Sequence, residues 1–211
     1  PRAGGSLLWQ WRWGQEAETA GHHLQRLLGG LEKHPNVELR LGTTAGGCYA
    51  DHWLALFDDS KLTKLRARAM VVAAGCFEQP AVFANNDLPG VLLGSAAQRL
   101  MHLYSVKPFE RCVVLAANAD AYRVALDLAA AGVDVAAVAD LRRGVRTTAA
   151  RKMVRDSGIE VLDAHCIYEA APGPGKTSIE AAVVTPLDVE GHACRRDRRR
   201  IDCDGIVVSV G

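Results

Sequence analysis

The stretch from residue 70 to residue 91, MVVAAGCFEQPAVFANNDLPGV, restricts the possible fold more than any other part of the chain. Its first five residues are apolar at every position, as in a parallel strand that is covered on both faces. Gly75 follows, and open α/β sheets bind ligands at the carboxyl ends of such strands. Pro80 and Pro89 exclude a continuous helix across the loop. The stretch therefore predicts a buried strand at 70–74 that ends one α/β unit, followed by the start of a second.

Length and charge exclude several classes of protein. The chain has 211 residues, of which 49 % are hydrophobic, and this is enough for one large or two small domains. A net charge of +1 favours neither nucleic acid nor a membrane surface as a partner. No apolar run approaches the roughly 20 residues of a membrane-spanning helix, and no signal peptide opens the chain. We expect a globular, cytoplasmic protein.

The cysteines favour the same compartment. They are widely spaced and form no C-x-x-C pair: Cys48, Cys76, Cys112, Cys166, Cys194 and Cys203. This spacing predicts reduced thiols and excludes dithiol redox chemistry, with disulfides or a metal site as the alternatives. Hydrolase chemistry is excluded as well, because the chain has no G-x-S-x-G, H-E-x-x-H or Walker motif.

The region before residue 70 predicts a helix followed by small strands. Apolar residues recur at helical spacing over 16–31, and a short strand is expected at 36–41. Residues 43–50, 53–57 and 61–69 read as an antiparallel meander that leads into the apolar run.

A βαβ unit is predicted after residue 110. Residues 111–115 read as a buried strand, 121–131 as a helix that Asp120 caps, and 133–139 as the parallel partner strand. The remaining elements expected in this half are a helix at 95–104, a helix at 147–157, a strand at 159–162, a hairpin of 166–171 with 177–185, and an apolar strand at 205–211. A basic run at 195–200 favours a solvated loop or a subunit contact over nucleic-acid binding.

The turn of this βαβ unit does not fit a nucleotide. Residues 116–121 read AANADA where the dinucleotide-binding fingerprint is G-x-G-x-x-G/A, so only Ala121 matches. Asn118 places a side chain where backbone would approach the pyrophosphate, and Asp120 adds negative charge. We therefore predict that this turn binds no nucleotide. Asp140 ends the next strand, where a ribose-binding acid would lie, and a solvent-facing strand end is the favoured interpretation.

The stretch after residue 77 resembles the linker of the alpha subunit of heterotetrameric sarcosine oxidases. The matching residues are Glu78, Pro80, Phe83, Asn85, Asn86, Asp87, Pro89, Gly90 and Val91. The degenerate turn resembles the same family at Asn118, Asp120, Ala121, Tyr122, Ala125, Leu126, Asp127 and Leu128. Two positions depart from the family pattern: Ala74-Gly75-Cys76 stands in place of T-G-A, and Gln79 replaces an arginine.

The resemblance implies an α/β, Rossmann-like two-dinucleotide-binding-domain fold of the thioredoxin/glutathione-reductase type. It implies that residues 1–88 form the back half of a first dinucleotide-binding domain whose N-terminal part is truncated. Residues 89–204 would form a second, dinucleotide-binding-like domain, and 205–211 a return strand toward the first. The unusual first residues and the end on a strand terminus favour a fragment of a longer protein.

The resemblance also implies cofactors and partners. In the family, sarcosine is oxidatively demethylated in the beta subunit, electrons pass through FAD and FMN to oxygen, FMN lies between alpha and beta, and alpha holds NAD. The expected role of this chain is a cofactor scaffold and an interface with beta, gamma and delta subunits, with no catalytic residue or metal ligand of its own. The cofactor-binding residues implied are Gly4, Gly5, Ser6, Thr44, Ala45, Ala74, Gly75 and Cys76. No cofactor is expected to bind tightly to this segment alone.

Several alternatives stay open at this point. For Thr44 and Ala45, plain sheet structure explains the residues as well as a cofactor contact does. The parent could instead be the alpha subunit of a related amine, opine or proline dehydrogenase, or of hydrogen cyanide synthase. A structural α/β module with no functional nucleotide site is the non-enzymatic alternative.

Overall fold

The computed structural model describes residues 2–10 and 19–211. Its helices are α1 (Ala20–Leu31), α2 (Gly94–Tyr104), α3 (Asp120–Ala130) and α4 (Ala149–Asp156). Its strands are β1 (Thr44–Tyr49), β2 (Trp53–Phe57), β3 (Leu62–Arg66), β4 (Val91–Leu93), β5 (Arg111–Ala116), β6 (Asp134–Asp140), β7 (Glu160–Asp163), β8 (His165–Pro172), β9 (Ile179–Pro186), β10 (Arg199–Asp202) and β11 (Gly205–Ser209). Among the described residues, no helix combines the length and apolar character that crossing a bilayer requires.

A five-stranded parallel sheet organises the second half of the chain. Its strand order is β4-β11-β5-β6-β7, and every neighbouring pair is parallel. The predicted βαβ unit is confirmed as β5, α3 and β6. β11, formed by the predicted return segment, lies between β4 and β5, and Gly211 O accepts a hydrogen bond from Gln79 N at 3.2 Å. The domain limits at residues 88 and 204 stay predictions.

Both faces of this sheet are covered, which explains why its strands are apolar at every position. Cys112, Val114 and Ala116 of β5 pack into a cluster with residues of α2, α3 and α4. Val113 and Leu115 of the same strand pack on the opposite face, against the antiparallel sheet β10-β9-β8. The predicted hairpin is confirmed as β8 and β9.

The predicted meander is confirmed in the first half of the chain. β1, β2 and β3 form an antiparallel sheet in that order, and Asp58 closes its second turn by accepting from Ser60 N and Lys61 N. Thr19 Oγ1 caps α1 by accepting from His22 N at 3.2 Å. The predicted first turn of that helix, at 16–18, lies outside the described residues. The strand predicted at 36–41 is wrong, since this segment is irregular and exposed.

The buried strand predicted at residues 70–74 is also wrong. This segment has no regular structure, and Val71 and Val72 are 91 % and 75 % exposed. A parallel strand requires neighbours for its backbone and a covering layer on each face. Within the described residues, no strand lies beside this segment, so its apolar side chains stay in solvent. The apolar pattern predicts a strand that is covered on both faces. The described residues provide no neighbouring strand for this segment.

Candidate functional site

The first group of predicted cofactor-binding residues lies in a tight turn beside α1. Gly5 begins a 3-10 turn, and Gly4 before it has a φ of 134°. A Cβ at Gly4 would lie 2.6 Å from Leu24 Cδ2, so packing on α1 already explains this glycine. Ser6 is exposed, and its carbonyl oxygen accepts from Trp9 N at 3.2 Å. The contact of these three residues with a cofactor stays a prediction.

The second group lies in the meander. Thr44 and Ala45 begin β1, are exposed, and lie opposite Phe57 and Leu56 of β2. Ordinary strand pairing therefore explains both residues, and the structure shows no additional feature that points to a ligand at them.

The third group, Ala74, Gly75 and Cys76, lies in the exposed segment before the linker motif. Gly75 has a φ of 76°, and no atom lies within 4 Å of the position that its Cβ would take. Its backbone is therefore open to a ligand. No hydrogen bond between described residues joins this segment to the first or the second group. The structure thus leaves the three groups as separate predictions.

The turn between β5 and α3 is closed by a side chain of its own. Asn118 Oδ1 accepts hydrogen bonds from Asp120 N at 3.0 Å and from Ala121 N at 3.1 Å. Free N–H groups at the start of a helix are the donors that would hold a phosphate. Here two of them are already used, which supports the prediction that the turn binds no nucleotide. The sequence predicts Asp120 as the cap of α3, but Asn118 provides this cap. The carboxylate of Asp120 instead accepts from Arg123 Nη1 at 2.7 Å.

Asp140, at the end of β6, is fully buried, so the predicted solvent-facing strand end is wrong. Its Oδ1 accepts from the backbone N and the Nε of Arg142, at 2.9 and 3.0 Å. Its Oδ2 accepts from Arg142 Nη2 at 2.8 Å and from Tyr122 Oη at 2.5 Å. An ionised carboxylate offers about four acceptor positions. All are in use, so none is left for the hydroxyl groups of a ribose.

Electrostatics stabilise this arrangement at neutral pH. Burial tends to raise the pKa of Asp140, but the hydrogen bonds from Arg142 and Tyr122 outweigh it and hold the pKa below its ordinary value. Burial, and then the bond to Asp140, raise the pKa of the Tyr122 hydroxyl, which stays protonated as a donor. Arg142 Nη2 also donates to Asn118 O at 3.0 Å, so the turn and the strand end are one network. We call Asn118, Tyr122, Asp140 and Arg142 the Asp140 network. Its residues do not fit a nucleotide.

Asn85 attaches the linker to β8, and Asn86 closes a turn within the linker. Asn85, whose φ is 61°, donates from Nδ2 to Ala170 O at 3.1 Å and to Glu169 Oε1 at 3.3 Å. Asn86 Nδ2 donates to Ala81 O at 2.8 Å. Sequence analysis found these residues only as part of a motif. Their partners could not be identified from sequence, because two of them lie more than eighty residues away.

Three arginines of the basic run contact other residues of the chain. Arg199 forms two bonds to the Glu160 carboxylate at 2.7 and 2.8 Å, and Arg200 Nη2 donates to Glu180 at 2.7 Å. Arg198 lies over the ring of Tyr168. These three arginines of the predicted basic loop thus serve the packing of β10 and its neighbours.

The two buried cysteine thiols, Cys112 and Cys203, are not nucleophiles. All six are free in the structure. Burial raises the pKa of Cys112 to about 12 and the pKa of Cys203 to about 11. A thiol is nucleophilic only as the thiolate, so these two are inert at neutral pH. Cys76 is exposed but has no partner group within the hydrogen bonds of the described residues.

Solved oxidoreductase structures share this fold. Thioredoxin reductase from T. acidophilum matches 100 % of this chain and 66 % of its own, with a TM-score of 0.68 and 13 % identity. L-proline dehydrogenase from P. horikoshii matches 98 % of this chain and 34 % of its own, with a TM-score of 0.60 and 18 % identity. The chain therefore has the Rossmann-like two-dinucleotide-binding-domain fold that its sequence predicts. At these identities the likeness shows the fold alone.

The amino-acid sequence gives a more specific relationship. Sarcosine oxidase subunit alpha of Corynebacterium sp. (strain P-1) is 30 % identical over 151 residues, which is 72 % of this chain. The corresponding subunit of Rhizobium meliloti (strain 1021) is 30 % identical over 143 residues, or 60 % of the chain. The chain spans about 15 % of the length of these curated relatives. No protein-family model matches it. The chain is a relative of a segment of the sarcosine oxidase alpha subunit, and this confirms the resemblance carried by the linker motif.

Proposed function

We propose that this chain is part of the alpha subunit of an oxidoreductase complex of the sarcosine oxidase type. The observation that carries the proposal is the similarity, at about 30 % identity, to three curated sarcosine oxidase alpha subunits. In the proposed complex, sarcosine is oxidatively demethylated, electrons pass through FAD and FMN to oxygen, and the alpha subunit holds NAD. Beta, gamma and delta subunits are the proposed partners.

Within that complex, the proposed role of this chain is structural and cofactor-binding. A flavin or nicotinamide supplies the redox chemistry when bound, so the protein needs to bind it and orient it. The Asp140 network uses the donors and acceptors that a nucleotide would need after β5 and β6. NAD contacts are therefore proposed for the earlier segments, at residues 4–6, 44–45 and 74–76, where Gly75 offers open backbone.

Exposed apolar side chains support the interface part of the proposal. The segment from residue 71 to residue 82, which includes the start of the linker motif, exposes Val71, Val72, Phe77 and Val82 by 75 to 93 %. Large apolar groups that cluster at a surface mark sites of interaction with other protein elements. We propose that this segment contacts other parts of the alpha subunit or a neighbouring subunit.

Purification of the intact complex through a tag on its full-length alpha subunit tests the proposal. Oxygen uptake would be measured with sarcosine, with proline and with an opine, and bound cofactors would be identified by absorbance and mass spectrometry. We expect sarcosine to support the fastest uptake, with flavin and NAD recovered. If only proline or an opine supported oxygen uptake, the complex would be a related dehydrogenase and not a sarcosine oxidase. If the complex contained no nucleotide, the chain would be a structural α/β module with no functional nucleotide site.

A further inference from the structure

The carboxylate of Glu78 lies at the N-terminus of α2. Its Oε2 accepts a hydrogen bond from Ser95 N at 2.6 Å, across 17 residues of sequence. Leu93, which precedes α2, has no side-chain cap to offer. The first N–H groups of a helix have no partner within the helix and carry a partial positive charge. The linker therefore provides the anion that this helix lacks.

The surroundings of Glu78 are shaped for this contact. A Cβ at Gly94 would lie 3.0 Å from Glu78 Oε1 and 3.1 Å from Val124 Cγ2, so the glycine leaves room for the carboxylate. Glu78 itself is half-buried, although its neighbours from Val71 to Phe77 are exposed. The next residue, Gln79, donates from its backbone N to Gly211 O at 3.2 Å. Glu78 and Gln79 thus attach the linker to α2 and to the segment after β11.

This contact is where the exposed segment first attaches to the second half of the chain. Toward the N-terminus, the nearest hydrogen bond within the described residues is from Ala67 N to His52 O, at the end of the meander. Toward the C-terminus, the next hydrogen bond is from Gln79 N to Gly211 O, and Ala84 N then donates to Tyr168 O. Without the contact of Glu78, the exposed segment would be held to the second half first by the single backbone bond of Gln79.

We propose that Glu78 is a positioning residue that acts as an intramolecular anion ligand of α2. It holds the linker on the second half of the chain, and it restricts residues 74–76, which lie two to four positions before it. The carboxylate at a helix start uses the same interaction by which dinucleotide folds hold a phosphate. Here the anion at the helix start is the side chain of Glu78 in the same protein. This inference concerns the linker and does not depend on the proposed activity.

The test compares Glu78→Ala and Glu78→Gln with the matched control Asp87→Ala, which removes an exposed carboxylate from the same linker. The measurements are amide hydrogen exchange at Ser95 and the rate of limited proteolysis within residues 68–77. A hydrogen bond to a charged group contributes enough that its loss is expected to raise the exchange rate at Ser95 roughly tenfold or more in Glu78→Ala. The proteolysis rate should also rise, because residues 74–77 lose their nearest attachment. Glu78→Gln keeps an acceptor without the charge, so we expect an intermediate rise. Asp87→Ala is expected to match the wild type.

Acetate provides the second arm of the test. In Glu78→Ala the space left by the side chain is open to a small carboxylate, so sodium acetate is expected to slow proteolysis toward the wild-type rate. Sodium chloride at the same ionic strength is expected not to do so. Exchange and proteolysis rates in Glu78→Ala and Glu78→Gln that equal those of Asp87→Ala would overturn the proposal. So would equal effects of acetate and chloride, because the site would then have no preference for a carboxylate.

Discussion

Two apolar runs of this chain have similar composition and opposite environments. Residues 112–116 are at most 2 % exposed, whereas Val71 and Val72, within the run at 70–74, are 91 % and 75 % exposed. Before residue 84, the buried residues of the described part are Ala20 and Ala55, while most of the core lies beyond it. An apolar run therefore becomes a fully buried strand only where it has strand neighbours on both sides and a covering layer on each face.

The run at 112–116 has those neighbours. It forms β5, which pairs with β11 on one side and β6 on the other. Its side chains alternate between the cluster under the helices and the cluster under the antiparallel sheet. The residues at 70–74 have neither strand partners nor a covering layer within the described chain. The stability of the molecule should therefore depend on the second half and hardly at all on the exposed run.

The largest expected effect is that of removing a core side chain. Leu128 is fully buried under the parallel sheet, so Leu128→Ala should lower the free energy of unfolding by about 2 to 5 kcal/mol. Val72→Ala, in the exposed run, should change it by less than about 0.5 kcal/mol. Urea unfolding followed by circular dichroism measures both. A loss of more than about 1 kcal/mol in Val72→Ala would mean that the run at 70–74 is buried in solution.

The next effect concerns the Asp140 network. Asp140→Ala leaves the hydroxyl of Tyr122 and the guanidinium of Arg142 without their buried partner. We expect a loss of about 3 kcal/mol in the free energy of unfolding. Asp134→Ala is the control, because its pair with Arg111 is exposed and should contribute at most about 1 kcal/mol. Equal losses in the two variants would contradict the burial of Asp140.

A smaller effect is expected with pH. The folded-state pKa of Asp140 lies below its ordinary value of 3.8, so the stabilisation by its carboxylate is complete above that value. It is lost as the pH falls through the folded-state pKa. The difference in unfolding free energy between wild type and Asp140→Asn should therefore be constant near neutral pH and shrink below about pH 4. Urea unfolding over this range measures it. A difference that grows as the pH falls would mean that the pKa is raised.

The smallest expected effect is the loss of the α3 cap. Asn118→Ala removes the acceptor for the N–H groups of Asp120 and Ala121 and should lower the free energy of unfolding by about 1 kcal/mol. Ser6→Ala, in an exposed turn of the first half, should leave it unchanged. Thermal unfolding of both variants measures the difference. No change in Asn118→Ala would show that the turn is held by other contacts.

Local patterns could be predicted from the sequence, and long-range partners could not. The β5-α3-β6 unit and the meander follow from apolar periodicity and turn residues, which act over a few neighbouring positions. The turn at 116–121 was predicted not to bind a nucleotide because its letters depart from the fingerprint. The reason that the structure adds, the bonds from Asn118 to two backbone N–H groups, follows from that same local sequence.

Most of the missed features depend on residues that are distant in sequence. Asp140 is predicted to face solvent, but it is buried: three of its four hydrogen bonds come from Arg142, two positions later, and the fourth comes from Tyr122 of α3, 18 positions earlier. Glu78 was found as a motif letter, but its partner Ser95 belongs to another element. The run at 70–74 was predicted as a buried strand from its own apolar residues, although burial is decided by what packs against it. The proposed cofactor contacts at 4–6, 44–45 and 74–76 stay predictions for the same reason.

The most direct test of the account locates the nucleotide. A photoreactive azide derivative of NAD would be crosslinked to the full-length alpha subunit, with excess NAD as competitor, and the labelled peptides would be mapped by mass spectrometry. We predict label that NAD displaces in peptides containing residues 4–6, 44–45 or 74–76, and none in residues 116–142. Displaceable label at 116–121 or beside Asp140 would contradict it, because the Asp140 network would then have to open for a nucleotide.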